Sequence, residues 1–178
     1  MFILTGGPCA GKTTLLERLG ALGFTVVREA ATEILREEGS RVRRDPLEFQ
    51  RKILMRQLRN EHRALSDPAR AQAIFVDRGV GDHFGYLRID GLEPFQELDE
   101  AWEMVRSRYG AMFFLELNPA YQRSSRRSEP EARARRIHQV LREEYLRRHP
   151  RVISVPWLPV EERVEQVLRD AGLARGVL

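Results

Sequence analysis

The chain has 178 residues and a net charge of +4, with 42% hydrophobic and 31% charged residues. This length is typical of one domain with its own hydrophobic core, so a single domain over residues 1–178 is expected. The composition is ordinary for a soluble globular protein, and no apolar run approaches the roughly 18 residues of a membrane span. The single cysteine, Cys9, excludes an internal disulfide and a cysteine-based zinc site.

The basic residues are almost all of one type. Twenty-eight of the 30 are Arg, and only Lys12 and Lys52 are Lys. Genome composition or a hot habitat is the expected cause of this preference for Arg over Lys. Lys12 therefore stands out, because the chain has no general preference for Lys that would account for it. The pI of about 9.7 favours anionic partners, a condition that nucleotides already meet.

A phosphate-binding motif follows the first predicted strand, at residues 1–4. Residues 6–13 read Gly-Gly-Pro-Cys-Ala-Gly-Lys-Thr and match G-x-x-x-x-G-K-[ST], the P-loop. Gly6 and Gly11 let backbone N–H groups approach phosphate oxygens, Lys12 can reach the β- and γ-phosphates, and the Thr13 hydroxyl can hold Mg²⁺. Helical spacing over 14–22 would put the phosphates at a helix N-terminus. The predicted ligands of ATP, or of GTP as the alternative donor, are Gly6, Gly7, Pro8, Cys9, Ala10, Gly11, Lys12, Thr13 and Thr14.

Predicted strands and helices alternate along the rest of the chain. The strands are expected at 1–4, 24–27, 73–77, 111–117 and 152–155, and the helices at 14–22, 30–38, 47–65, 82–87, 94–109, 131–148 and 160–171. This alternation predicts an α/β fold whose parallel sheet is covered by helices on both faces. Ligands of such sheets bind beyond the carboxyl ends of the strands, where the P-loop, Glu29, Asp77 and Arg78 all fall. Because the first strand starts at once, no room remains for a signal peptide, and a cytoplasmic location is expected.

The residues around the third strand favour a kinase over a GTPase or a motor ATPase. A guanine-reading N-K-x-D motif is missing, since neither Asn60 nor Asn118 is followed by Lys. Motor ATPases usually carry a second acid after the Walker B aspartate, but Asp77 is followed here by Arg78. An Arg suits the holding of a phosphate or of a hydroxyl-bearing acceptor near the γ-phosphate.

At these residues the sequence resembles the P-loop nucleoside and nucleotide kinases, above all the AAA-like group that contains the NadR-type ribosylnicotinamide kinases. The resemblance rests on residues 5–14, 27–31 and 76–79 and on the Arg-rich segment before the last helices. It implies a three-layer P-loop NTPase fold, with a five-stranded parallel sheet in the order 2-3-1-4-5 and an Arg-rich lid at about 119–136. In deoxynucleoside kinases of similar layout an acid just after the second strand is the general base, and the matching position is Glu29. The sequence departs from such kinases at Cys9, where Gly or Ser is common.

Each candidate also has a structural interpretation. Asp77 would bind Mg²⁺ through water or deprotonate the acceptor, or would cap a helix. Arg78 would clamp the acceptor or a phosphate, or form a surface ion pair. Glu29 would be the general base, or a first-turn Glu favoured by the helix dipole, with Glu33 in reserve.

The Arg-rich segment and the aromatic and histidine residues are less specific. Stabilising charge on the transferred phosphoryl group would fall to one or two lid arginines, with Arg127 as the candidate catalytic residue. The six arginines considered are Arg123, Arg126, Arg127, Arg133, Arg135 and Arg136. The four histidines lack metal-ligand spacing, and His83 is the one considered for the acceptor pocket. Phe84, Tyr86 and Trp102 could stack on an aromatic acceptor, although core packing is expected for each.

Together these features predict a Mg²⁺-dependent phosphotransferase that moves the γ-phosphoryl group of ATP to a nucleoside, nucleotide or similar small acceptor. One alternative is a polynucleotide 5′-kinase whose Arg-rich surface follows a strand. Another is a nucleotide-binding regulatory ATPase or GTPase module with slow turnover. A membrane partner is not expected, and neither the acceptor nor the oligomeric state follows from the sequence.

Overall fold

The computed structural model describes residues 1–67, 69, 72–119 and 130–173. Its five strands are β1 Phe2–Thr5, β2 Thr25–Val27, β3 Ile74–Asp77, β4 Ala111–Leu115 and β5 Val152–Val155. They form one parallel sheet in the order β2-β3-β1-β4-β5, which confirms the predicted 2-3-1-4-5 order. The helices are α1 Lys12–Ala21, α2 Ala30–Glu38, α3 Pro46–Ser66, α4 Gly81–Ile89, α5 Gln96–Val105, α6 Glu131–Arg148 and α7 Val160–Asp170.

Two hydrophobic cores lie on the two faces of the sheet, because alternate strand residues point to opposite sides. Ile3, Val76 and Met112 belong to one core, which includes side chains of α4 and α5. Their neighbours Leu4 and Phe113 belong to the other core, which includes side chains of α1 and α7. The fold is therefore three-layered, and the central strands are apolar on both faces.

Local sequence signals set several boundaries. The Asp45 side chain accepts the Glu48 amide at 3.0 Å and Pro46 is the first helical residue, so the predicted cap of α3 is confirmed. The predicted loop at 40–45 is instead a short 3-10 helix, Ser40–Arg44. The helix expected over 94–109 is shorter, since α5 ends at Val105 and a 3-10 turn, Arg106–Arg108, follows.

Part of the predicted lid lies outside the described residues. Arg123, Arg126 and Arg127 fall in the gap between 119 and 130, and the description resumes just before α6. Among the described helices, none has the length and hydrophobicity that crossing a membrane requires.

Candidate functional site

The loop between β1 and α1 has the backbone geometry that phosphate binding requires. Gly6 has a φ of 131°, and a Cβ there would lie 2.5 Å from the Leu115 carbonyl oxygen. Gly11 has a φ of 82° directly before the first residue of α1. Cys9 also adopts a left-handed φ, of 65°, which costs a non-glycine residue about 1 kcal/mol. This backbone conformation explains why glycine would suit the Cys9 position.

Lys12 is buried at the base of the loop, with 7% of its surface exposed. Its ammonium donates to the carbonyl oxygens of Gly6, at 3.1 Å, and Gly7, at 2.9 Å. Burial, helped by the charge of Arg78, lowers the Lys12 pKa to about 8, although nearby carboxylates oppose the change. A cation held this way stands ready to exchange carbonyl contacts for phosphate oxygens.

Asp77 ends β3 beside the first turn of α1. Its Oδ2 lies 3.4 Å from the Thr13 hydroxyl, and its buried Oδ1 has no hydrogen-bond partner among the described residues. Burial raises the Asp77 pKa, because no neighbour fully replaces the lost hydration of the carboxylate. Two oxygen donors with an unsatisfied carboxylate atom fit Mg²⁺, which takes one or two protein ligands and completes its shell with water and phosphate. No cluster of three or more acidic, His or Cys ligands occurs in the described part of the chain.

Arg78 joins the ends of β2 and β3 through a partly buried ion-pair network. Its Nε donates to Glu29 Oε1 at 2.6 Å and its Nη1 donates to Asp82 Oδ1 at 2.9 Å. Thr32 donates to the second Glu29 oxygen at 2.6 Å. Burial alone would raise the Glu29 pKa, but the Arg78 charge and these hydrogen bonds outweigh it and lower the pKa to about 2. Glu29 is therefore ionised at any working pH.

The predicted residues meet at one cavity of about 640 Å³. Lys12, Thr13, Glu29, Asp77 and Arg78 all contribute to its lining. Apolar and aromatic side chains from α3, α4 and α6 form part of the remaining wall: Phe49, Ile53, Tyr86 and Ile137. A phosphate-binding loop, a carboxylate pair and a recess lined by both polar and apolar side chains thus open into the same space, as a site for two small ligands requires.

The chain was compared with known protein families and solved structures. A family model described as an AAA domain matches residues 1–163. The chain belongs to this AAA-domain family. The predicted resemblance to AAA-type P-loop proteins is thereby confirmed. A search of curated proteins finds no significant match.

The solved structures similar to this AAA domain include several kinases. A NadR protein in complex with NAD and AMP-PNP shares 17% identity at a TM-score of 0.73, covering 99% of this chain but 51% of its own. The AAA domain thus spans about half the length of that protein. Shikimate kinase from Aquifex aeolicus shares 16% identity at a TM-score of 0.60, covering 96% of this chain and 95% of its own. Deoxyadenosine kinase from M. mycoides, with the products dCMP and dCDP, shares 14% identity at a TM-score of 0.63, covering 96% of this chain and 98% of its own. These likenesses establish the fold.

Two polar contacts that support the P-loop of the AAA domain were not predicted from the sequence. The Gly7 amide donates to His138 Nδ1 at 3.3 Å, and the other ring nitrogen of His138 lies 3.0 Å from Glu116. A Cβ on Gly7 would lie 2.8 Å from the His138 Cβ, so α6 approaches the loop too closely for any other residue. On the other side, Arg163 of α7 donates to the Ala10 carbonyl at 3.1 Å.

Asp82 is a further site residue that was not predicted from the sequence. Its carboxylate accepts hydrogen bonds from Thr5, at 2.9 Å, from the Gly79 amide, at 3.0 Å, and from the Tyr145 hydroxyl, at 2.5 Å, besides the pair with Arg78. It is 3% exposed and lines the cavity. The sequence did carry a signal, because Asp82 lies in the first turn of α4, where a carboxylate can accept hydrogen bonds from backbone amides. Its other hydrogen-bond partners come from segments that are distant in sequence and could not be predicted in this way.

Other candidates divide between the cavity and the core. His83 and Tyr86 line the cavity, whereas Phe84 and Trp102 pack edge to face at 6.2 Å in the hydrophobic core. The Glu33 carboxylate accepts from Asn60 at 3.0 Å and does not line the cavity, so it does not serve as a reserve base in this geometry. Of the described arginines in the predicted lid segment, Arg133 lines the cavity and lies 3.5 Å from Asp90, while Arg135 pairs with Glu131.

Proposed function

We propose that this protein is an ATP- and Mg²⁺-dependent phosphotransferase that moves the γ-phosphoryl group to a hydroxyl of a nucleoside-like small acceptor. One observation carries the proposal: the P-loop lysine, Asp77 and the Glu29–Arg78 pair line a single cavity. Hydrolysis alone would not need the additional recess, lined by polar and apolar side chains, that adjoins them. The kinase fold of the similar structures supports the same conclusion.

The donor side is formed by the P-loop, residues 6–14. Its backbone amides would hold the phosphates of ATP at the N-terminus of α1, and Lys12 would move from the Gly6 and Gly7 carbonyls to the phosphate oxygens. Thr13 and Asp77 would hold Mg²⁺. When bound, Mg²⁺ supplies positive charge that neutralises the phosphates and orients them for in-line transfer. Because no base-reading motif is visible in the sequence, GTP remains a possible donor.

The acceptor side is formed by Glu29 and Arg78. Glu29 would accept the proton of the attacking hydroxyl, and Arg78 would fix the orientation of the carboxylate through its 2.6 Å contact. A pKa of about 2 makes Glu29 a weak base. A weak base suffices in phosphoryl transfer, because bond formation to the nucleophile is little advanced in the loose transition state and its proton leaves late.

Charge on the transferred group would be balanced by an arginine that reaches the cavity from the lid segment. Arg127, the sequence candidate, lies outside the described residues and keeps this role as a proposal. Arg133 is the described lid arginine that lines the cavity.

The test is ADP release from ATP and Mg²⁺ across a panel of acceptors. The panel comprises nucleosides, deoxynucleosides, nucleoside monophosphates, ribosylnicotinamide, shikimate and a 5′-hydroxyl oligonucleotide. The proposal expects a small acceptor to raise ADP release well above the basal rate, and expects Lys12→Ala and Asp77→Asn to abolish the increase. Glu29→Gln should lower kcat while leaving the Mg²⁺ requirement unchanged, which separates the base from the metal ligand. Glu33→Gln is the matched control, since this nearby α2 carboxylate contacts α3 and should leave kcat unchanged.

Two other outcomes would contradict the proposal. Activity with the oligonucleotide alone, falling steeply with salt, would favour the polynucleotide kinase. Tight ATP binding with a basal rate that no acceptor raises would favour the regulatory module.

A further inference from the structure

The imidazole of His138 on α6 is held against the start of the P-loop. The Gly7 N–H donates to His138 Nδ1 at 3.3 Å. The two backbones are also close, since a Cβ on Gly7 would lie 2.8 Å from the His138 Cβ. The ring packs against Phe114, with 4.6 Å between the ring centroids, so its position is fixed by packing as well as by hydrogen bonds.

The two ring nitrogens of His138 have different roles. The Gly7 N–H is a donor, so Nδ1 must accept and the ring proton lies on Nε2. Nε2 is 3.0 Å from Glu116 Oε2 and donates to it. Burial alone would raise the Glu116 pKa, but the hydrogen bonds from Ser154 and His138 outweigh it and lower the pKa, so Glu116 is an ionised acceptor. Burial lowers the His138 pKa, although Glu116 opposes the change, so the ring is neutral near pH 7.

The peptide group between Gly6 and Gly7 connects His138 to Lys12. In a trans peptide the C=O and the following N–H point in opposite directions. With the Gly7 N–H directed at His138, the Gly6 carbonyl points to the other side, where it accepts the Lys12 ammonium at 3.1 Å. Arg78 Nη1 lies 3.4 Å from the same oxygen. Hydrogen bonds therefore run without a break from Lys12 through this peptide and His138 to Glu116, and bonds in such a chain strengthen one another.

Glycine at both positions explains why the peptide needs an external contact. Gly6 and Gly7 have no side chains, so the peptide between them meets little steric resistance to rotation. If the peptide turned over, its N–H would point toward the Lys12 ammonium and the carbonyl would no longer accept from it. The contact with His138 opposes this rotation, because it fixes the N–H side of the peptide.

We infer that His138 and Glu116 are positioning residues that hold the Gly6–Gly7 peptide with its carbonyl toward Lys12, so that the P-loop is arranged for phosphate before the nucleotide binds. This contact exists only while the ring is neutral, because a protonated imidazole has no lone pair on Nδ1 for the Gly7 N–H. The inference rests on the proposed function, since it takes the P-loop to bind the donor nucleotide.

ATP binding to the full chain tests the inference without requiring turnover. The dissociation constant for ATP and Mg²⁺ is measured by calorimetry at pH 7.5. His138→Leu removes the acceptor and should weaken binding about tenfold, as the loss of one buried hydrogen bond implies. His138→Asn should bind within about twofold of the wild type, because its side-chain oxygen can accept the Gly7 N–H in place of Nδ1. Val140→Ala is the control, since this buried α6 residue affects packing and should lower the melting temperature without changing the dissociation constant.

The pH profile separates positioning from a purely structural role. The charged groups that face the ring are Glu116 after β4, Arg142 on α6 and Lys12 on α1. Because the pKa of His138 is lowered in the folded chain, the contact with Gly7 is present near pH 7 and is lost as the pH falls through that pKa. Between pH 7.5 and 5 the wild-type dissociation constant, divided by that of His138→Asn, should rise toward the tenfold loss of His138→Leu. The ratio cancels the titration of ATP itself and of the other histidines.

A double-mutant cycle tests Glu116. Glu116→Ala should weaken ATP binding in the wild type but add nothing in His138→Leu, because its effect passes through the ring. An equal effect in both backgrounds would overturn the positioning role of Glu116.

Wild-type affinity in folded His138→Leu overturns the inference, as does a ratio to His138→Asn that stays constant between pH 7.5 and 5. Equal losses of affinity in Val140→Ala and His138→Leu also overturn it. If His138→Leu does not fold, the pH comparison of the wild type with His138→Asn decides alone. ATP binding that depends on His138 without acceptor-dependent ADP release would support this inference and remove the kinase proposal. ADP release with unchanged ATP affinity in His138→Leu would do the reverse.

Discussion

We expect Lys12 to make nucleotide binding depend on pH. Its ammonium is buried against two carbonyl groups, and its pKa is lowered to about 8 from the ordinary 10.5. Near pH 8 a substantial fraction of the free protein therefore has a neutral lysine, which cannot bind phosphate as a cation. Bound phosphates would stabilise the charged form, so ATP binding above pH 8 must be accompanied by proton uptake.

The magnitude follows from the fraction of protein with a charged lysine. If only that form binds, the apparent Kd is multiplied by one plus the ratio of neutral to charged Lys12. For a pKa of about 8 the factor is about 1 at pH 7, about 2 at pH 8 and about 11 at pH 9. ATP should thus bind about tenfold more weakly at pH 9 than at pH 7, with about half a proton taken up per ATP at pH 8. The terminal phosphate, whose own pKa is near 6, is already ionised over most of this range.

Calorimetric titration at several pH values, in buffers of different ionisation enthalpy, measures both quantities. Lys12→Arg is the matched control, because a guanidinium stays charged throughout and should remove the pH dependence whatever its absolute affinity. A wild-type Kd that is constant between pH 7 and 9, or an equal rise in Lys12→Arg, would refute the assignment of this dependence to Lys12.

Three further predictions concern the metal, the loop and the buried histidine. Asp77→Asn should raise the Mg²⁺ concentration for half-maximal activity by about tenfold or more, measured by metal titration, and an unchanged value would exclude Asp77 as a ligand. Gly7→Ala should lower the free energy of unfolding by about 1–3 kcal/mol, because its Cβ would lie 2.8 Å from the His138 Cβ. Gly20→Ala is the control and should not lower it, because the new Cβ would be in ordinary contact at 3.5 Å. Equal shifts of the melting temperature in the two variants would contradict this prediction. Burial lowers the His83 pKa to about 4 from its ordinary value of 6.5, so the unfolded chain takes up the proton at a higher pH than the folded chain does. The free energy of unfolding should therefore fall by about 3 kcal/mol as the pH drops from about 6.5 to 4. Denaturant titrations should show a shallower acid loss in His83→Gln, and parallel losses would exclude His83 as the cause.

Much of the fold could be predicted because its signals are local. The helices at 30–38 and 131–148 and the strand at 152–155 have the predicted bounds, since each ends at a Gly, a Pro or a change of hydrophobic period. The proximity of Glu29, Asp77 and Arg78 to the P-loop also followed from the sequence, because the carboxyl ends of parallel strands share one edge of the sheet.

Contacts between segments that are distant in sequence could not be predicted in this way. His138 reaches Gly7 across 131 positions, and Arg163 reaches Ala10 across 153. Hydrophobic spacing shows which face of α6 or α7 is buried, but not which polar side chain at its border meets the loop. The same limit applies to Gln50 of α3 and His83 of α4, whose side chains meet at 2.7 Å only because the two helices pack together.

The ion pairs of Arg78 refine the role that its position in the sequence suggested. Glu29 and Asp82 hold its guanidinium at 2.6 and 2.9 Å through Nε and Nη1, so turning these two nitrogens to a phosphate would require breaking at least one of the pairs. Breaking the pair with Asp82 would leave a buried carboxylate without its charged partner, which is costly, whereas the Glu29 side chain is 29% exposed and water would offset part of the loss. Lys12 has no such cost, since it donates to carbonyls and makes no ion pair among the described residues. We therefore expect Lys12 to move to the phosphates while Arg78 keeps its ion pairs and orients Glu29 toward the acceptor hydroxyl.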